Sequence, residues 1–541
     1  MRGLTMEYQL TLPAMLRRAD DLYGPKEIVT RRPDKSFHRY TYRDFVRRAK
    51  KLSVALKALG VRPGDRVATL GWNTYQHLEA YFGIPCAEGV LHTINPRLSA
   101  DDIAYIIEHA EDRVLMIDET LLGLLDGFRD RVDLEHVVVF TYGGSAPEAM
   151  LDYEELVGEA DEGAFSYPEP DEWDAAAMCY TSGTTGRPKG VLYSHRSICL
   201  HSISLGMTDM LGIAERDSVL PVVPMFHVNA WGIPFVSTLV GAKQVLPGPH
   251  LDPKSLLEDF EQERVTITAG VPTVFLGVLR ELDENPGAHD LSAMRAIIVG
   301  GSAAPEGMIR AYRERHGLNV VHAWGMTEMD PVGSVCNLRS WMDDLPEDEK
   351  YRIRAKQGPP AAFIEFRARG AVDLVPWDGK TMGELEVRGP WVASSYFNTE
   401  EGRDKFTEDG WFRTGDIVTI DENGYIEIQD RSKDLIKSGG EWISSVALEN
   451  AIMSHDAVAE AAVIAIPDPK WQERPLAVVV LKEGRSATAE EIISHIAPHF
   501  PKWQLPDAVE FVEAIPHTAT GKFLKMALRE QFKDYSAAKS Q

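Results

Sequence analysis

Residues 294–305 read Met-Arg-Ala-Ile-Ile-Val-Gly-Gly-Ser-Ala-Ala-Pro, and this run constrains the fold more than any other. Its apolar core suits a strand buried on both faces, as in a parallel sheet covered by helices. The two glycines end the strand, and Pro305 opens a helix. Strand–glycine–helix junctions of this kind put ligands at the carboxyl ends of sheet strands. The same alternation marks the beginning of the chain. Thr41 and Asp44 form a capping-box pattern ahead of Phe45, Val46, Ala49, Leu52, Leu56 and Leu59, with Gly60 as the stop. RVATLGW (66–72) follows as a strand and YQHLEAYFGIPCAEG (75–89) as a helix. The dominant class is therefore α/β with largely parallel sheets.

Between residues 360 and 430 the pattern changes. FIEFRAR, GELEVRG and GYIEIQD alternate apolar and polar residues between Gly and Asn turns, which predicts antiparallel strands. A third region begins after Asp430-Arg431-Ser432-Lys433-Asp434. It holds EAAVIAIP, LAVVVL and a helix opened by Thr488 and Glu491, with Ile492, Ile493 and Ile496 on one face. This reads as a small α+β unit. A chain of 541 residues has room for three or four such units.

Composition excludes several function classes. The chain carries 57 Lys+Arg against 82 Asp+Glu, a formal charge of −25. That argues against a general nucleic-acid binder, which needs a basic face, and against a polybasic membrane anchor. Cys86, Cys179, Cys199 and Cys336 lie far apart, so neither a disulfide framework nor structural zinc is expected. The first residues show no uninterrupted apolar segment of the signal-peptide kind. The stretch VLPVVPMFHVNAWGIPFVSTLVG is broken by His227, Asn229 and prolines, too often for a membrane span. The expectation is a soluble protein of the reducing cytoplasm.

Chemistry concentrates in Tyr180-Thr181-Ser182-Gly183-Thr184-Thr185-Gly186-Arg187-Pro188-Lys189-Gly190. Its small residues let backbone N–H groups and hydroxyls wrap an anion, and Lys189 adds positive charge. It is not a Walker loop, since counting from Gly183 puts Pro188, Lys189 and Gly190 where Gly-Lys-[Ser/Thr] belongs. Further along come Pro224-Met225-Phe226-His227, the Gly300–Pro305 junction, and Trp324-Gly325-Met326-Thr327-Glu328. Trp411-Phe412-Arg413-Thr414-Gly415-Asp416, the stretch Asp430–Trp442, and Thr520-Gly521-Lys522 complete the series.

This ordered set, covering nearly the whole chain, resembles the adenylate-forming superfamily of acyl-CoA synthetases, luciferase and adenylation domains. Within it the segments VPMFHVNAW and IKSGGEWISS are most similar to bacterial medium- and long-chain fatty acyl-CoA synthetases. The resemblance implies a large N-terminal domain (1–430) of two α/β subdomains and a small distorted β-barrel. A hinge (431–434) and a small mobile α+β domain (435–541) follow. It implies a two-step ligase: a carboxylate attacks the α-phosphorus of ATP, and coenzyme A then displaces AMP from the acyl-adenylate. Because one anion attacks another, positioning and arranged cations must carry the catalysis.

The roles implied by the resemblance are specific. Thr181 and Glu328 are magnesium-associated, and Lys522 bridges carboxylate and α-phosphate. The loop residues Ser182, Gly183, Thr184, Thr185, Gly186 and Lys189 hold phosphates. Gly301, Ser302, Ala303, His322, Ala323, Gly325, Met326, Thr327 and Val228 surround the nucleotide. Trp324, where relatives mostly carry Tyr, stacks on adenine. Asp416 accepts the ribose hydroxyls, joined by Arg431. His227 lies beside the acyl carboxylate, Trp231 gates the acyl tunnel, and Val332 and Gly333 line it, Gly333 leaving it open. Lys433, with Asp434, is the hinge, whose rotation swings Lys522 away and brings Gly439, Gly440 and Glu441 towards the pocket. Lys437 and Trp442 contact nucleotide or pantetheine. A homodimer is implied.

Two other readings compete: an adenylating enzyme that loads a carrier protein, and a nucleotide-binding interaction protein without catalysis. The presence of Lys522, Glu328, Asp416 and Arg431 opposes the second. The acid itself is left between a medium- to long-chain fatty acid and a short thioether acid such as 3-methylmercaptopropionate. Each methylene contributes only about 0.8 kcal/mol of burial, so one tunnel could accept both.

Overall fold

The computed structural model describes residues 1, 3–181, 187–438, 441–517, 523–533 and 535. Two largely parallel sheets form the bulk of the molecule. In the first, seven strands run in the order Leu151–Asp152, His136–Phe140, Asp112–Asp118, Arg66–Leu70, Val90–Thr93, Ala175–Tyr180, Gly190–Ser194. All pair in parallel except the last two. The second has eight strands, with a parallel centre of Val320–Gly325, Ala296–Val299, Ile267–Gly270, Ser218–Pro221, Lys243–Leu246 and Glu27–Arg31. Antiparallel strands Val332–Val335 and Phe37–Thr41 close its two edges.

The central strands Ile267–Gly270 and Ala296–Val299 are buried at every position, as their unbroken apolar runs require. Helices cover both faces. Tyr42–Ala58 begins with the expected capping box of Thr41 and Asp44, and Gly60 takes φ +89° just beyond its end. Pro305 stands one residue before the helix Glu306–His316, at its N-cap rather than inside it.

The four strands Glu365–Arg369, Gly383–Arg388, Phe412–Ile420 and Ile426–Arg431 make one antiparallel sheet. The small barrel expected here takes this four-stranded form. The C-terminal unit is a five-stranded sheet in which Val458–Asp468 and Gln472–Leu481 form a long antiparallel pair. Its helix Ala489–Ile496 carries the second capping box, Thr488 with Glu491, and buries Ile492 and Ile496. The four cysteines are free and buried. Among the described residues no helix is long and apolar enough to cross a membrane.

Candidate active site

A cavity of about 590 Å³ opens where both large sheets, the four-stranded sheet and the C-terminal unit meet. Two of its walls are hairpin connections. The strands Ala175–Tyr180 and Gly190–Ser194 are antiparallel neighbours, which brings Thr181 and Lys189 together at the sheet end. At its neck, Thr181 N donates to Lys189 O at 2.9 Å and Lys189 N to Thr181 Oγ1 at 3.1 Å. Lys189 Nζ lies 3.3 Å from Glu401 Oε2. Ser182, Gly183, Thr184, Thr185 and Gly186 lie outside the described residues, as do Gly439, Gly440 and Lys522.

The second hairpin joins Val320–Gly325 to Val332–Val335 and carries Met326-Thr327-Glu328. Glu328 is buried and held from three directions. The Thr327 carbonyl accepts from Tyr193 Oη at 2.6 Å, and the Glu328 carbonyl from Ala393 N at 2.8 Å. The carboxylate oxygen Oε1 accepts from Tyr396 Oη at 2.6 Å. A buried carboxylate needs such partners.

The third wall is the junction after Ala296–Val299. Gly301 adopts φ +82°, a conformation open to glycine and strained for other residues. A Cβ at Gly300 would sit 3.2 Å from the Trp231 indole, so the ring lies directly against this backbone. Trp231 is delivered by an unusual turn. Val228, Asn229, Ala230 and Trp231 take φ values of +44°, +52°, +50° and +57°, a left-handed helical turn built without glycine. Each such residue costs roughly 1–2 kcal/mol. Gly232 ends the turn at φ +74°, and a Cβ there would meet His201 Nδ1 at 2.7 Å. His227, Val228 and Trp231 all line the cavity.

Asp416 and Arg431 are cross-strand partners, with Arg431 Nε 2.7 Å from Asp416 Oδ1. Trp324 Nε1 donates to Asp416 Oδ2 at 3.0 Å. The Asp416 side chain is 2% exposed and stands behind the lining formed by Thr414, Gly415 and Arg431.

Thus Thr181, Lys189, His227, Val228, Trp231, Gly301, Ala323, Trp324, Gly325, Met326, Thr327, Glu328, Val332, Arg431, Lys433 and Asp434 share one cavity. Other expected site residues do not line it. Ser302 is exposed and Ala303 partly so, beyond the cavity wall. The His322 ring is buried behind it, pairing Nδ1 with Ala355 O at 2.9 Å and accepting from Ala304 N at 3.3 Å. Gly333 is packed closely from one side. A Cβ there would lie 2.6 Å from Met329 Cε and 2.8 Å from Trp324, so the missing side chain makes room for those two. Lys437 and Trp442 are cross-strand partners on the antiparallel strands Ile436–Ser438 and Glu441–Ile443 and are not among the residues that line the cavity.

Sequence reasoning missed Tyr396, Glu384, Lys405, Arg413 and Phe523, all of which line the cavity. Tyr396 and Lys405 belong to the segment YFNTEEGRDKF, whose polar residues read as an ordinary surface loop. Arg413 sits inside a motif that was noticed for Asp416 alone.

The Thr181–Lys189 neck, a glycine junction and a carboxylate hairpin thus border one cavity of an α/β protein. Among known families, the AMP-binding enzyme model matches residues 17–397, and the AMP-binding enzyme C-terminal domain model matches residues 447–522. The chain belongs to this family. It is 52% identical over 534 residues to a long-chain-fatty-acid–CoA ligase of Thermus thermophilus, covering 98% of this chain and 97% of the relative. It is 43% identical to a 3-methylmercaptopropionyl-CoA ligase of Ruegeria pomeroyi, covering 99% of each. The solved structure of the anthranilate CoA ligase AuaEII with anthranoyl-AMP superposes with a TM-score of 0.86 at 25% identity, over 98% of this chain and 99% of that one.

Proposed function

We propose that this cavity joins a carboxylic acid to coenzyme A at the expense of ATP, through an acyl-adenylate, releasing AMP and pyrophosphate. The observation that carries the reading is the convergence of Thr181, Glu328, His227, Trp231 and Trp324 on one cavity that Lys433 and Asp434 of the hinge and Phe523 of the C-terminal unit also border. ATP lies with its phosphates at the Thr181–Lys189 neck and its base at Gly301 and Trp324. The acid enters past Trp231, its carboxylate beside His227. Lys522 meets the α-phosphate, a role supported by Phe523, its neighbour in sequence, lining the cavity.

The Thr181 hydroxyl and the Glu328 carboxylate are hard oxygen donors of the kind magnesium takes. When bound, that ion neutralises phosphate charge. Tyr396 keeps the Glu328 carboxylate oriented for it.

For the second half-reaction, the C-terminal domain (435–541) turns about Lys433 and Asp434. Lys522 leaves, and the segment Lys437–Trp442 comes to the cavity mouth. The present placement, with Phe523 at the cavity and neither Lys437 nor Trp442 lining it, supports the adenylating orientation. The enzyme works as a cytoplasmic homodimer. Its four free, buried cysteines fit a reducing compartment.

The acid is a medium- to long-chain fatty acid, supported by the Thermus relative. The Ruegeria relative supports a short thioether acid as the second reading. The test is AMP and acyl-CoA formation with ATP, magnesium and coenzyme A over acids from propionate to palmitate, with 3-methylmercaptopropionate and benzoate. Maximal kcat/KM at eight or more carbons establishes the fatty-acid reading. A maximum at the thioether acid replaces it with the second.

A further inference from the structure

Asp416 is a carboxylate with almost no water. Its side chain is 2% exposed, Oδ1 is paired with Arg431 Nε at 2.7 Å, and Oδ2 accepts from Trp324 Nε1 at 3.0 Å. The two partners differ in exposure. Arg431 has a side chain 41% exposed at the cavity wall, where its Nη1 also donates to Thr414 O at 3.2 Å. Trp324 is 7% exposed and fixed: its ring meets Phe366 edge-on at 5.7 Å, and it occupies the space that Gly333 leaves free. One oxygen is therefore held by a donor buried in packing, the other by a donor that is partly exposed at the cavity.

From this geometry we infer that Trp324 is a positioning residue for ribose recognition, acting through its indole N–H on Asp416. The inference rests on the reading of Asp416 as the ribose acceptor. With Oδ2 tied to Trp324, the carboxylate keeps a single orientation, and Oδ1, on the side of the partly exposed Arg431, is the oxygen that meets a ribose hydroxyl. A carboxylate accepts at least two hydrogen bonds per oxygen, so the Trp324 bond leaves this capacity intact. A phenyl ring at residue 324 keeps an aromatic face for adenine and loses the N–H. Stacking and carboxylate positioning can thus be separated by one substitution.

The experiment compares kcat/KM for ATP, 2′-deoxy-ATP and 3′-deoxy-ATP in acid-dependent pyrophosphate release by the full-length enzyme, for the parent protein, Trp324→Phe and Asp416→Asn. Asp416→Asn is expected to lower the preference for ATP over at least one deoxy-nucleotide. Trp324→Phe is expected to lower the same preference about tenfold, the effect of one hydrogen bond to a charged group. The loss is expected in KM for ATP more than in kcat, and the double variant is expected to be no worse than Asp416→Asn. A preference unchanged by Trp324→Phe but lowered by Asp416→Asn overturns the positioning role alone. A preference unchanged by Asp416→Asn overturns the ribose assignment and, with it, this inference. A general packing defect in Trp324→Phe would lower all three nucleotides equally, which also counts against the proposal.

Discussion

The hydroxyl of Tyr396 donates to Glu328 Oε1 at 2.6 Å, tying the four-stranded sheet's approach loop to the carboxylate hairpin of the eight-stranded sheet. Removing it strands a buried carboxylate oxygen, at a cost of about 1.5–3 kcal/mol for a charged acceptor. Tyr396→Phe should therefore reduce adenylation by about tenfold or more and raise the magnesium concentration for half-maximal rate. Pyrophosphate exchange at graded magnesium measures both. An unchanged magnesium dependence would remove Tyr396 from any role at Glu328.

His201 links stability to pH. Burial pushes its imidazole down to about 3 from an ordinary value of 6.5. The hydrogen bonding agrees, because Nε2 accepts from Val332 N at 3.1 Å and so must stay unprotonated. The folded pKa lies below the unfolded one. The unfolded chain thus takes up the proton first, and stability, complete above pH 6.5, falls as pH drops from there toward 3. The slope is about 1.4 kcal/mol per pH unit for one such group. His201→Gln should flatten the acid limb of a melting-temperature-against-pH curve between pH 6 and 4. An unaltered limb would mean that His201 is not among the groups responsible.

The left-handed turn before Gly232 predicts a strong effect from a small change. In Gly232→Ala, the new methyl meets His201 Nδ1 at 2.7 Å on a backbone with φ +74°. Strain and overlap together should cost about 2 kcal/mol or more. A lowered melting temperature with reduced rates for all acids is expected, since Trp231 is carried on the same turn. A neutral substitution would show that the turn relaxes freely.

At the base of the C-terminal unit, Lys525 Nζ lies 2.6 Å from Glu449 Oε1 and donates to Ser445 Oγ at 2.5 Å. Burial raises the Glu449 carboxyl, while Glu449 and Asp430 nearby hold the lysine charged. Lys525→Met leaves Glu449 without its cation, a loss of about 3–5 kcal/mol for a broken buried pair. Limited proteolysis should cut the C-terminal unit sooner in that variant. Equal cleavage rates would place the stability of this unit elsewhere.

Much of this architecture was legible in the sequence, and for physical reasons. The run Ala296–Val299 had to be buried on both faces, and both capping boxes formed where Thr41–Asp44 and Thr488–Glu491 stand. The loop beginning at Thr181 stood out by its small residues, whereas Glu328 was singled out only through the family resemblance. The turn at 228–231 was not legible, since Val, Asn, Ala and Trp give no local signal for positive φ. Its surroundings are tertiary: Trp231 lies against Gly300 and Gly232 against His201. The neighbours of Gly333 were not legible either: a glycine's missing side chain says nothing about which neighbour fills the space. The pairings of Tyr396 with Glu328 and Trp324 with Asp416 span 68 and 92 residues, beyond any pattern of local spacing.

The central claim is that one cavity runs two half-reactions and that Lys522 serves only the first. The most direct measurement is Lys522→Ala assayed in two ways: pyrophosphate release from acid and ATP, and acyl-CoA formation from supplied acyl-adenylate and coenzyme A. The account predicts that the first nearly vanishes while the second keeps the parent rate. Equal loss in both would contradict the separation of roles and the domain rotation built on it.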